Sequence, residues 1–303
     1  MPHTRRSFLH TSVAAALLPA ALRAQDTKAP LFKISLAQWS LHKTLFAGKM
    51  KNTEFPVMAK KDFGIEGVEW VNQFWKDKAT DQAYLAELKK ICEGEGVTSV
   101  LIMCDGEGNL GDADDAARAK AVENHRKWIE AAKFLGCHSI RVNAATGDKG
   151  TREEQAARAT EGLSKLSAIG EAVGIGVIVE NHGGLSSDGA WLAGVIKATG
   201  TKNCGTLPDF GNFRIGGGKE YDRYQGTDEL MPYAKGVSAK SHDFNEKGDE
   251  IHTDYRKMLD ICIKKHGWRS WVGIEYEGGK IGEPEGIKAT KALLEKVRAE
   301  LSA

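Results

Sequence analysis

The chain has 303 residues, and its 42 Lys and Arg against 41 Asp and Glu give a formal net charge of +1. This balance does not favour a nucleic acid or an anionic membrane surface as the partner. The length suits one α/β barrel or two smaller domains, and no linker-like break in composition divides the chain.

The N-terminal segment, residues 1–24, predicts a twin-arginine signal peptide. Arg5 and Arg6 precede an apolar run from Val13 to Leu22, and the small residue Ala24 offers a cleavage position. The run is too short to span a bilayer as a mature helix. We therefore expect a domain over residues 25–303 that is exported to the periplasm and is not attached to the membrane.

From residue 33 onward, strand-like and helix-like stretches alternate along the whole chain. The predicted strands cover 33–39, 65–71, 97–104, 138–143, 177–180, 205–209, 237–242 and 271–275. The predicted helices cover 53–61, 81–93, 114–135, 152–173, 187–198, 227–233, 253–265 and 285–301. Eight such repeats without an antiparallel hairpin signal predict a single (β/α)₈ TIM barrel. The glycine-rich stretch 216–219 is expected to be a flexible loop.

Four of the later strands end in a residue that can bind a metal ion: Glu180, Asp209, His242 and Glu275. They recur about every 30 residues, roughly the length of one βα unit, which places them at the same rim of a parallel barrel. Mostly oxygen donors of this kind suit a divalent ion. We expect Mn²⁺, with Mg²⁺, Co²⁺ and Zn²⁺ as alternatives that the donor set also accepts.

Other polar and aromatic side chains at the strand ends are candidates for substrate binding. Lys240 shares the strand face of His242, and Asn212 lies on the loop after Asp209. The remaining candidates are Trp39, Glu69, Trp70, Arg141, Asn143 and His182. Each of them also has an ordinary structural interpretation as a core, rim or ion-pair residue.

Four motifs resemble those of the xylose-isomerase-like barrel superfamily, and the sugar phosphate isomerase/epimerase group in particular. They are residues 179–181 (VEN), 208–212 (PDFGN), 240–243 (KSHD) and 274–278 (IEYEG). This group includes ketose 3-epimerases and inosose dehydratases. The resemblance implies that Glu180, Asp209, His242 and Glu275 hold the metal. Asn212 stands where the family often has a substrate-contacting histidine, and no arginine closely follows His242.

The donor set also indicates a reaction. A bound divalent ion stabilises the oxygen of an enolate or enediolate, and Glu180 and Glu275 are the expected acid and base on opposite faces of one carbon. The primary hypothesis is a metal-dependent isomerase or epimerase of a keto sugar. The alternatives are a lyase or hydratase acting on a 3-keto-glycoside or inosose, and a metal-bearing sugar-binding protein without catalysis. The expected partner is a small carbohydrate, and a homo-oligomer remains open.

Overall fold

The structure is a computed structural model that describes residues 29–302. The predicted signal peptide, residues 1–24, lies outside the described residues, so its export role stays a prediction. Of the helices described, none is both long and apolar enough to cross a membrane.

Eight parallel strands form the central sheet, which confirms the predicted (β/α)₈ barrel. In chain order they are β1 (Lys33–Ala37), β2 (Gly67–Val71), β3 (Thr98–Met103), β4 (Ser139–Asn143), β5 (Gly176–Glu180), β6 (Cys204–Leu207), β9 (Ser238–Ser241) and β10 (Trp271–Tyr276). Parallel bridges from Thr206 to Ala234 and from Asp209 to Ser238 join the two outer strands of the sheet. The carboxyl ends of all eight strands therefore meet around one mouth.

The two remaining strands form an antiparallel hairpin, β7 (Arg214–Gly216) with β8 (Lys219–Glu220). This corrects the expectation that the chain carries no antiparallel hairpin; residues 216–219, expected to be a flexible loop, form its turn and the strand ends beside it. The reason is local, because Gly216, Gly217 and Gly218 all have positive φ and supply the tight turn. The exposed hairpin follows the loop that carries Asp209 and Asn212.

Helices surround the barrel at nearly all predicted positions. They are α1 (His42–Phe46), α2 (Phe55–Phe63), α3 (Gln82–Glu95), α4 (Asp115–Leu135), α5 (Arg152–Glu171), α6 (Gly189–Ala198), α7 (Arg223–Leu230), α8 (Tyr255–Leu259) and α9 (Glu283–Ser302). Side-chain caps start several of them; Asp81 accepts a hydrogen bond from the amide of Tyr84, and Asp114 accepts one from Ala117. The short α1 was not predicted.

The hydrophobic core has an inner and an outer part. Inside the barrel, Val71, Leu101, Met103, Ile178 and Leu207 belong to a small apolar cluster that fills the space below the mouth. A much larger cluster packs between the sheet and the helices. The five cysteines are all free and buried, as expected for small core residues.

One close approach in the outer core gives a stability prediction. Gly162 is buried in α5, and a Cβ atom there would overlap the carbonyl oxygen of Leu110. We expect Gly162→Ala to lower the free energy of unfolding by about 2–3 kcal/mol, because backbone cannot yield as a flexible side chain does. Urea denaturation measures the loss.

Gly94→Ala is the matched control for this variant, since Gly94 is an exposed helical residue of α3 with open space around its Cβ position. It should stabilise the protein by about 0.5–1 kcal/mol through helix propensity. Equal effects of the two substitutions would contradict the overlap at Gly162.

Candidate functional site

Three carboxylates meet at the mouth of the barrel. Glu180 ends β5, Asp209 follows β6, and Glu275 lies in β10; each offers an oxygen within 4.8 Å of the others. Glu180 and Asp209 are fully buried and Glu275 is 3% exposed. Three of the four residues predicted to bind a metal therefore converge in space.

Asp209 is held rigidly by its neighbours. Its backbone amide donates to Asn181 Oδ1 at 2.7 Å, and its Oδ1 accepts hydrogen bonds from the amides of Gly211 and Asn212. Ser238 Oγ donates to the other carboxylate oxygen, Oδ2, at 2.6 Å and also lies 3.1 Å from Glu275 Oε2. Ser238 thus links two of the three carboxylates and sets their separation.

Glu180 faces a second group of polar side chains. Asn212 Nδ2 donates to its Oε1 at 2.9 Å, and Arg141 Nε lies 2.7 Å from its Oε2. Arg141 in turn donates to Asp105 Oδ1 at 2.8 Å, and Asn143 donates to the same oxygen at 2.7 Å. The predicted substrate residues Asn212, Arg141 and Asn143 therefore lie at the site, where they orient Glu180 and Asp105.

Lys240 forms the opposite wall. Its buried ammonium lies 3.0 Å from Glu275 Oε1 and 3.1 Å from Glu277 Oε2. The indole of Trp39 donates a hydrogen bond to the other oxygen of Glu277. Trp39 itself belongs to a 3₁₀ turn that follows β1, and it does not end the strand as expected.

His242 is the departure from the predicted ligand set. Its side chain is 37% exposed, its Nε2 lies 3.8 Å from Glu277 Oε2, and its ring packs edge-on against His252. It lies outside the three-carboxylate cluster. The cause is strand register: Lys240 pairs with Glu275, so His242 lies one pleat nearer to solvent. The expectation of four converging ligands is corrected to three.

The charge and donor chemistry of the cluster fit a divalent cation. Burial raises the pKa of Asp209 well above its usual range and also raises that of Glu275, in both cases against the opposing charge of Lys240. Glu180 Oε2 is buried and accepts no hydrogen bond of good geometry. Crowded carboxylates with a free buried oxygen are what a hard cation neutralises and fills.

Glu69 lies deeper in the barrel and has an unusual protonation state. Its Oε1 accepts a hydrogen bond from Ser35 at 2.6 Å, its Oε2 has no partner, and burial raises its pKa to about 8 from 4.5. The carboxyl is therefore protonated in the folded protein at neutral pH. It gives the floor of the site a neutral group beside the charged cluster.

This shift predicts a pH dependence of stability. Between pH 4.5 and about 8 the unfolded chain has released the Glu69 proton and the folded protein keeps it, so stability falls as pH rises. We expect the free energy of unfolding of the wild-type protein to fall by about 3–5 kcal/mol across this window, and Glu69→Gln to remove that fall. Urea denaturation of the metal-free protein at several pH values measures it. Parallel curves for the variant and wild type would contradict the prediction.

Trp70, another predicted substrate residue, lies away from the site. Trp70 is fully buried on the helix side of β2, donates to Ser99 Oγ at 3.0 Å and packs edge-on against Phe55 and Trp75. It cannot face a substrate, which corrects that expectation, because neighbouring strand residues face opposite sides and Glu69 faces inward. His182 is exposed on the loop after β5.

Sequence reasoning missed Asp105, Glu277 and Ser238. Two of them had a detectable signal. Glu277 lies two residues beyond Glu275, and Ser238 two residues before Lys240, so each shares the inward strand face of a residue that was identified. Asp105 comes two residues after β3. It gave no comparable signal, because no residue of that strand had been identified as a site residue.

Comparisons with known proteins agree with the fold. Residues 58–297 match the family described as xylose isomerase-like TIM barrel. No curated protein sequence matches the chain.

Solved structures with a similar fold cover most of this chain at low sequence identity. The 3-keto-D-glucoside 4-epimerase YcjR from E. coli has a TM-score of 0.63 and 14% identity, over 88% of this chain and 99% of that one. An L-ribulose 3-epimerase has a TM-score of 0.68 and 16% identity, over 89% and 97%. The IOLI protein with a bound zinc atom has a TM-score of 0.67 and 14% identity, over 88% and 98%.

Proposed function

Because the chain belongs to the xylose isomerase-like TIM barrel family, we propose that it is a divalent-metal-dependent isomerase or epimerase of a keto sugar. The observation that carries the proposal is the convergence of Glu180, Asp209 and Glu275, buried and within 4.8 Å, at the mouth where this fold places its reactive groups. Neighbours of the same fold include sugar epimerases, which supports the substrate class.

These three carboxylates would hold the ion. When bound, a divalent ion supplies Lewis acidity that stabilises the oxyanion formed when a proton is removed beside a carbonyl group. Three oxygen donors favour Mn²⁺ or Mg²⁺, since Zn²⁺ sites more often include nitrogen or sulfur ligands. We therefore retain Mn²⁺ as the proposed ion.

Glu275 is the proposed general base. Burial raises its pKa, which brings the carboxyl closer to the working range for proton transfer at neutral pH. Lys240 holds Oε1 of this carboxylate in place at 3.0 Å. A base positioned by such an ion pair needs little reorganisation before it takes the proton.

A lyase acting on a 3-keto-glycoside is the second candidate, and the surroundings of Glu180 favour it. Epimerisation needs a group that returns the proton on the opposite face. Asn212 stands where the epimerases that the chain resembles often have a substrate-contacting histidine, and its amide, which cannot return a proton, donates to Glu180 Oε1 at 2.9 Å. Elimination needs only one base, and the departing group then leaves from the same intermediate.

The test is turnover in deuterated buffer with Mn²⁺. Purified protein is incubated with a panel of ketoses and 3-keto-glycosides, and products are followed by NMR. Solvent deuterium on a recovered or epimerised sugar supports the isomerase, and release of the free aglycone supports the lyase. If protein that binds Mn²⁺ shows neither outcome, the enzymatic proposal is overturned and a sugar-binding protein is left.

Export through the twin-arginine pathway is proposed separately, on the segment 1–24 alone.

A further inference from the structure

A cavity of about 580 Å³ lies beside the barrel mouth, between the segments that follow β1 and β2. It is separate from the three carboxylates. Phe46 of α1 and Phe74 of the turn after β2 give it an aromatic wall, and Asn52, Gln73 and Tyr84 give it a polar one. Its volume is in the range of small-molecule sites.

An aromatic surface connects this cavity to the carboxylate site. The Phe46 and Phe74 rings lie 5.0 Å apart, and the Phe74 ring stacks on Trp39 with centroids 6.0 Å apart and planes at 30°. Trp39 donates to Glu277, which is bonded to Lys240. A molecule that reaches from the carboxylates across Trp39 therefore arrives at Phe46 and Phe74.

Phe46 is held out in solvent by a fixed helix. Its side chain is 60% exposed, whereas most large apolar residues described here are buried. The helix α1 that carries it is anchored by Glu283, whose carboxylate accepts hydrogen bonds from the amides of Lys43 and Thr44 at 2.7 and 3.0 Å. Together with Phe74, Phe46 forms a contiguous aromatic patch on an anchored element, which is typical of a binding surface.

The polar wall is also ordered. Asn52 donates to the carbonyl oxygen of Phe74 at 2.9 Å and accepts from Gln38 at 2.9 Å. Gln73 and Tyr84 supply an amide and a hydroxyl at the same cavity. Aromatic faces cover the C–H face of a sugar ring, and amide and hydroxyl groups match its hydroxyls as donors and acceptors.

We propose that this cavity binds a second sugar ring, so that the substrate is a glycoside of at least two rings whose keto ring lies at the three carboxylates. The proposal rests on the proposed function and names its substrate class. Phe46 and Phe74 stack on the second ring, and Gln73 hydrogen-bonds to its hydroxyls. Trp39 spans the two rings.

The test compares two substrates that share the same keto ring, a methyl 3-keto-glucoside and a 3-keto-disaccharide. Deuterium exchange in Mn²⁺-loaded protein gives kcat/KM for each. Wild type should prefer the disaccharide by about tenfold or more, and Phe46→Ala and Gln73→Ala should each reduce this preference about fivefold or more. Ile251→Ala is the matched control, because Ile251 is a 50% exposed apolar residue outside this cavity, and it should keep the wild-type ratio.

The outcomes separate the two proposals. Exchange with both substrates at equal kcat/KM would overturn the second-ring site and leave the proposed function intact. A wild-type preference that neither Phe46→Ala nor Gln73→Ala changes would also overturn it. The second-ring site is also overturned if a 3-keto alkyl glycoside has the same kcat/KM as the disaccharide and Gln73→Ala does not change the preference. The cavity would then recognise only apolar surface. Exchange into a free ketose but into neither glycoside would overturn the second-ring site alone, whereas absence of exchange and of aglycone release with every sugar of the panel contradicts the proposed function itself. Circular dichroism and thermal unfolding confirm that each variant is folded.

Discussion

Replacing Glu275 by Gln should abolish proton exchange while the protein still binds its metal ion. The amide keeps the size of the side chain and removes the base, so we expect exchange into substrate to fall by about 10³-fold or more at saturating Mn²⁺. Metal content measured on the same sample shows that the loss is not a loss of the ion. NMR of the substrate in deuterated buffer gives the rate.

The control for this variant is Glu285→Gln, which makes the same chemical change at an exposed residue near the start of α9. It should exchange at the wild-type rate. A metal-loaded Glu275→Gln protein that retains exchange would show that another group removes the proton. Glu180 would then be the carboxylate to test next.

Replacing Lys240 by Met should destabilise the metal-free protein strongly. The change removes the buried ammonium between Glu275 and Glu277 and leaves two carboxylates without their cation. We expect a loss of about 3–5 kcal/mol in unfolding free energy at pH 8, the cost of breaking a buried ion pair from one side. Saturating Mn²⁺ should stabilise this variant more than wild type, because a bound cation replaces the missing charge.

Lys280→Met provides the comparison on the same rim. Lys280 is 69% exposed and pairs with Asp243 at 3.1 Å, so its removal should cost about 1 kcal/mol at most. Urea denaturation with and without Mn²⁺ measures both variants. Equal losses in the two, or a Lys240→Met protein that Mn²⁺ stabilises no more than wild type, would contradict the role given to Lys240.

Lys240→Met and Lys280→Met test the feature that distinguishes this site from the four-ligand site predicted by resemblance. The strand that was expected to supply a histidine ligand supplies a lysine at that depth. Lys240 was identified from the sequence as a possible electrostatic contact to substrate. In the structure its ammonium contacts the carboxylates themselves.

The sequence by itself determined the barrel, the placement of Glu180, Asp209 and Glu275 at one rim, and the alternation of side-chain direction along each strand. These properties are local: repeat length follows from the βα unit, and side-chain direction follows from the two-residue period of a strand. The same period shows that Glu69 and Trp70 cannot both face the mouth.

Only the tertiary structure decided the height of each inward residue along the barrel axis. Height depends on the stagger between neighbouring strands, which non-local backbone pairing sets. That pairing aligns Lys240 with Glu275 and leaves His242 beside Glu277. It likewise brings Asp105 to Arg141, two residues on neighbouring strand ends with no shared pattern in the sequence. Contacts of this kind depend on where separate strands stop, so no local rule of periodicity specifies them.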